Sequence, residues 1–221
     1  MQVIPFSVYD FFGYLGSGFI LLAAVDYSFL GGTHLASSPT LPLTLLWLVV
    51  AYVLGHVVGS TASYVFERTV VRGRLGSPAE LLFRDQQMTK RSVFTGYYQT
   101  LPRESQRRVL DRARDDASIT APGEALFLHC QAVVRRDPTM YARLSIFQNV
   151  TAFCRNTSMS LLLAVPVLLV GAIESADWTS TVPKLWWALV ALASSIVLFL
   201  RFVKLFRHYA VEVFGSYPDV R

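Results

Sequence analysis

The chain has 221 residues, of which 53% are hydrophobic, with a mean hydropathy of +0.42 and a formal charge of +5 at neutral pH. An ordinary soluble domain is about 45–50% apolar with glycine counted in, so the composition excludes a chain whose apolar residues only fill one water-soluble core. The two cysteines, Cys130 and Cys154, have no spaced histidine partners, which excludes a zinc site, and no cofactor is expected.

The apolar excess falls in four runs, and crossing a hydrocarbon core of about 30 Å takes about 20 helical residues. Phe11 to Val25 carries no charge between Asp10 and Asp26. Leu41 to Phe66 is uncharged for 26 residues, Asn156 to Ile173 for 18, and Leu185 to Leu200 for 16, with Lys184 and Arg201 flanking the last run and able to snorkel outward. The predicted fold is all-α: four transmembrane helices with a cytosolic helical insert between helices 2 and 3. Residues 1–66 make the first two spans, 67–147 the insert, 148–208 spans 3 and 4, and 209–221 a cytosolic tail, expected to be unordered after Gly215.

The insert holds the charge. Glu67 to Arg143 contains 14 of the 20 Lys and Arg and 9 of the 15 Asp and Glu, which accounts for the whole +5, while the rest balances 6 against 6. No cation precedes Arg68, and Lys184 alone lies between the third and fourth runs. Cytoplasmic segments retain Lys and Arg, so both termini and the insert are placed on the cytosolic side of a bacterial inner membrane. There the two thiols stay reduced. The first run has no Lys or Arg before it and reads as a retained span rather than a cleaved signal peptide.

Helix 1 contains Gly13, Gly16 and Gly18, which let backbones approach closely. Asp10 and Asp26 stand about 24 Å apart along a helix, near opposite interfaces. Either they are held at headgroup level or paired with a neighbour, or they mark an ion or proton path. Helix 2 carries Ala51, Gly55, Gly59 and Ser63 at every fourth position, one small-residue face on which a second helix should pack. His56 adjoins that face in mid-span, as a pH gate or ion path, or as a neutral imidazole bonded to a neighbouring helix.

In the insert, Ser77-Pro-Ala-Glu80 is a capping box that opens a helix to about Met88. Leu101-Pro102 opens a second, with Val109, Ala113 and Ala117 spaced by four, and a third follows Pro122 with Ala125, Leu128, Ala132 and Val133 inward. Asp137-Pro138 caps a fourth. Nothing breaks the pattern from Thr139 into membrane helix 3 before Pro166, which should kink it. On this shared helix Gln148, Thr151, Arg155 and Ser158 form a polar stripe at the cytosolic end. The stripe lines a vestibule, or it docks on the insert, or Arg155 pairs with Asp10. Trp186 and Trp187 anchor span 4 at the outer interface. At its inner end Arg201, Lys204 and Arg207 each attract anionic lipid headgroups by about 1 kcal/mol.

No catalytic set emerges. His129 and Cys130 diverge by about 100° as helix neighbours, form no dyad and read as core. No G-x-x-x-x-G-K-[ST], no G-x-G-x-x-G after a strand and no H-E-x-x-H is present. Arg201 and His208, separated by six residues, resemble the Arg-and-His motif of the HEPN ribonucleases, although a stop-transfer cluster explains the same arginine. The insert's arginines suit the phosphates of a nucleotide or nucleic acid, with Tyr97 and Tyr98 the one aromatic pair among them.

With four spans, a helical insert after the second and the run Y-V-L-G-H-V-V-G-S, the chain resembles the small membrane proteins of bacterial defence and stress loci, including the membrane accessories of RNA-targeting CRISPR systems. The resemblance is architectural and implies no site residue. The expected function is a non-enzymatic, homo-oligomeric membrane effector. Its insert senses a ligand or a cytosolic protein, nucleotide or nucleic-acid partner and alters permeability through the helix from Asp137 to Ile173. The alternatives are a membrane-tethered adaptor that recruits a cytosolic partner, and an enzyme, either the nuclease or a lipid-modifying one.

Overall fold

The computed structural model describes residues 8–32, 40–84, 95–175 and 177–220. Among them every regular element is helical. Three helical stretches are long and apolar enough to cross a membrane: Leu41–Leu81, Pro138–Ile173 and Trp178–Asp219.

In chain order the helices are α1 (Val8–Phe29), α2 (Leu41–Ala62), α3 (Pro78–Leu81), α4 (Arg103–Ala117), α5 (Glu124–Val134), α6 (Pro138–Ile173) and α7 (Trp178–Ser216), with 3-10 turns at Thr95–Tyr98 and Tyr217–Asp219. Thr40 is extended and a proline occupies the first turn of α2, where a missing N–H costs nothing. The helix does not stop where its apolar run stops. From Ser63 to Leu75 it continues with the wider π-type pairing, so Arg68, Arg72 and Arg74 are helical. Asp137 opens α6 by accepting from the Thr139 and Met140 amides at 2.8 and 3.1 Å. α6 then runs as one helix of 36 residues, past Pro166.

The chain divides into two compact units, Met1–Glu67 with Asn149–Phe202, and Arg68–Gln148 with Val203–Arg221. In the first, α1 lies against the small-residue face of α2. Ala51, Gly55 and Gly59 are buried. A Cβ on Gly55 would overlap the Tyr14 carbonyl, and one on Gly18 would overlap that of Ala51, so glycine is what lets these backbones touch. Gly59 faces the Tyr14 ring and the Asn156 amide of α6, and Gly171 of α6 packs on Ser28 of α1. Ala24, Ala164, Leu168, Ala188 and Ala191 complete an apolar core. Leu45, Val49, Val53, Val57, Ile196 and Val197 are exposed, an apolar exterior of the kind a bilayer covers.

Lys184 does not snorkel. Its ammonium donates to the Ser28 carbonyl at 3.2 Å, the Gly171 carbonyl at 2.9 Å and the Ser175 hydroxyl at 2.9 Å. The last carbonyls of α1 and α6 lack partners within their own helices, and an ammonium brings three donors, so capping wins over solvation.

The second unit has its own core, in which Leu82, Leu101, Val109, Ala113, Leu126 and Cys130 pack with Phe214, Tyr217 and Val220. The segment after Gly215 is therefore not an unordered tail: Tyr217 is fully buried and forms a 3-10 turn, because its ring supplies apolar area that the short helices alone do not. The helix begun at Pro78 closes at Leu81, well short of Met88, since the Leu82 carbonyl is taken by the Leu101 amide at 2.9 Å and the Gln106 side chain at 3.2 Å. Residues 85–94 lie outside the described residues. Ser77 has the extended backbone of an N-cap, but its hydroxyl makes no cap bond. On α5 the inward face is Leu126, Cys130 and Val134, while Ala125, Leu128 and Ala132 are exposed and Val133 is half-buried. α5 is apolar on several faces, and the long-range core decides which of them turns inward. Val109 and Ala113 of α4 are buried; Ala117, at the helix end beside the left-handed Ser118, is exposed.

Candidate functional site

A cleft of about 430 Å³ opens in the second unit between the π-type extension of α2, α3, α5 and α7. Buried Pro78, Ala79 and Ala210 form its floor. Its rim carries Arg72 and Glu124, 3.9 Å apart. In the wall, the Tyr209 hydroxyl accepts from the Gln131 amide at 2.6 Å and from the Gln148 amide at 3.0 Å. Gln148, on α6, thereby braces a residue of α7 that lines the cleft, while α5 supplies the third member of the network. A shared acceptor fixes all three side chains at once, so displacing Tyr209 strands two amides.

A second cluster holds the C-terminal turn. The Tyr217 hydroxyl donates to the Asp116 carboxylate at 2.9 Å, with His129 Nε2 at 3.3 Å. Arg112 binds the same carboxylate at 3.2 Å, donates to the Tyr217 carbonyl at 2.7 Å and lies 4.9 Å from the Tyr217 ring centre. Burial pushes the neighbouring Cys130 thiol up to about 12, which leaves it protonated and inert as a nucleophile. Tyr97 is also spent internally, its buried hydroxyl on the Gly76 carbonyl at 2.9 Å and its phenol pushed above the usual range by that burial.

The Tyr217 hydrogen bond, followed by that of Arg112, holds the Asp116 carboxyl below the usual carboxylate range. A carboxyl depressed by folding contributes stability that is present above its unfolded pKa of about 3.9 and is lost as pH falls through the lower folded value. Melts of the wild-type protein are therefore expected to lose stability below about pH 4, and those of Asp116→Asn to lose less over the same range. Parallel pH profiles would show that this contact contributes nothing.

In the first unit the polar residues marked in the sequence mostly find partners on neighbouring helices. Arg155 pairs with Glu67, at the end of that unit's α2 segment, rather than serving as a lining group, and its Nε donates to Asn156 at 3.1 Å. Ser158 and Ser195 each donate to the other's carbonyl at 2.8 Å, joining α6 to α7. Ser160 donates to the Ser17 carbonyl of α1. Thr151 is buried. The His56 ring stacks on Tyr14 at 4.1 Å and meets Tyr52 edge-on at 4.6 Å, and its residue is otherwise exposed. Asp26 is buried; Asp10 lies in α1 with its side chain outside the described residues. Ser63 is half-buried. Arg201 and Lys204 are exposed, whereas Arg207 donates to the Gln99 carbonyl at 2.8 Å within the second unit.

The stripe Gln148, Thr151, Arg155, Ser158 is thus divided among several partners rather than gathered at one lumen. Sequence reasoning missed Glu67, Ser195, Tyr209 and Tyr217. Only Glu67, the first carboxylate after an uncharged run, carried a local signal. Among the described residues no group of three or more His, Cys, Asp or Glu could hold a metal ion. No family model matches the chain, and neither does a curated protein or a solved structure.

Proposed function

We propose that the chain is an integral membrane protein of four spans whose second unit stands in the cytosol, senses a ligand and alters the permeability of the bilayer. The observation that carries this reading is the construction of the cleft. Phe206, Tyr209 and Ala210, which line it, belong to α7, and Gln148, bonded to Tyr209, belongs to α6. Both helices continue into long apolar segments. A ligand that moves Tyr209 therefore acts on the two elements that also build the first unit.

The topology has separate support. Residues 68–148 and 203–221 belong to one compact unit, so the chain between them must cross a membrane an even number of times, and α6 and α7 supply two crossings. α1 packs against α2 along its small-residue face, which favours counting it as a fourth span. An oligomer is part of the proposal, because the polar groups of one copy are largely satisfied among its own helices, and a conducting path would form between copies.

Protein reconstituted into dye-loaded liposomes is expected to release the dye and to run as an oligomer in native mass spectrometry, with Gln148→Leu altering release while leaving assembly intact. Tight vesicles together with a monomer would contradict the permeability claim. Tight vesicles with one stoichiometric cytosolic partner on the full chain would replace it with an adaptor role.

A further inference from the structure

The rim and walls of the cleft specify a ligand chemistry. Phe127, Phe206 and Tyr209 line it, the Phe127 and Tyr209 rings meeting edge to face with centroids 6.2 Å apart. Arg72 and Glu124 stand at the rim with 62% and 72% of their side chains exposed. Their 3.9 Å separation is longer than the about 2.7–2.9 Å of a charge-assisted hydrogen bond. The pair is therefore a loose surface contact that contributes little, and both groups keep capacity for a ligand.

A simple anion drawn to Arg72 meets the Glu124 carboxylate, and a simple cation drawn to Glu124 meets the guanidinium. A ligand that carries both charges a few bonds apart meets neither penalty. Aromatic faces beside a carboxylate are what hold an organic ammonium, and a guanidinium fork is what holds a phosphate. We propose that the cleft binds an aminophosphate zwitterion of the phosphoethanolamine or phosphocholine type, with phosphate on Arg72 and ammonium toward Glu124 and the three rings. The proposal rests on the reading of this cleft as the sensory site. The same chemistry occurs as a free aminophosphate and as the headgroup of a zwitterionic phospholipid. At about 430 Å³, the cleft lies at the smaller end of small-ligand sites, which span about 300–1,000 Å³, and suits a headgroup rather than a whole two-chain lipid.

The test titrates the full-length protein in maltoside micelles with phosphocholine, phosphoethanolamine, inorganic phosphate and choline, followed by ligand-observed NMR. The zwitterions are expected to bind at least about tenfold more tightly than phosphate or choline. Glu124→Gln should abolish the advantage over phosphate, and Arg72→Gln the advantage over choline; both sites are exposed rim positions, so folding is retained. Nanodiscs of phosphatidylethanolamine that exclude free phosphocholine, where phosphatidylglycerol nanodiscs do not, would assign the lipid source, and equal binding in both would assign the free one. Phosphate alone binding as tightly as the zwitterions, variants without effect, or no saturable binding would each overturn the proposal. Zwitterion binding that leaves vesicle permeability unchanged would overturn the sensory reading and leave the ligand standing.

Discussion

Replacing Arg155 by methionine is expected to destabilise the first unit by about 3–5 kcal/mol, toward the lower figure, and restoring neutrality with Arg155→Met/Glu67→Gln to recover most of that loss. The Arg155 and Glu67 side chains are 12% and 27% exposed, so both charges are largely withdrawn from water. Removing one partner leaves the other buried and uncompensated, whereas removing both leaves only a packing defect. Glu67 retains some solvent, which is why the lower figure is favoured. Thermal unfolding of the single and double variants in detergent, compared as a cycle with Glu67→Gln, measures the coupling. A single variant as stable as wild type, or a double variant as unstable as the single, would show that the two charges do not depend on one another.

Gly55→Leu is the second large effect. Because a Cβ at Gly55 overlaps the Tyr14 carbonyl, part of the rigid backbone of α1, the substitution cannot be absorbed by a rotamer change and must separate the helices. Overpacking of a fixed core costs about 1–3 kcal/mol and occasionally more, and here it also removes the close approach on which packing in lipid depends. Gly18→Leu acts against the Ala51 carbonyl in the same way. Gly16 is the internal control: nothing stands within 4 Å of its built Cβ, so Gly16→Ala should be neutral or slightly stabilising, as alanine is the better helix former by about 1 kcal/mol. Loss of the detergent-resistant fold in Gly55→Leu and Gly18→Leu with retention in Gly16→Ala is the expected pattern. Equal behaviour of all three would mean that the helices do not meet at this crossing.

These effects separate what was legible in the sequence from what was not. The spacing of Ala51, Gly55 and Gly59 was readable because packing of two helices at close range imposes a period of about four on one of them. The start of α6 at Asp137-Pro138 was readable because capping is local. The partner of Arg155 was not, since Glu67 lies 88 residues away and no local pattern links them. The inward face of α5 was misread for a related reason: a helix apolar on several faces has no unique stripe, and only the core formed by Phe214 and Tyr217 decides which side turns in. The cleft was invisible because each of its four segments contributes one to four ordinary residues. Part of the insert's charge is spent on pairs one turn apart, such as Arg108 with Glu104 and Arg107 with Asp111, and these exposed contacts contribute little.

The functional proposal depends most directly on the side of the membrane that the second unit occupies and on α1 crossing as a fourth span. Fusing a reporter that is active only in the cytosol at Gly123, in the exposed loop before α5, and separately ahead of α1, measures both. Activity at both sites is the predicted result. Silence at Gly123 would place the unit and its cleft outside the cell, and activity at Gly123 with silence ahead of α1 would reduce the spans to three.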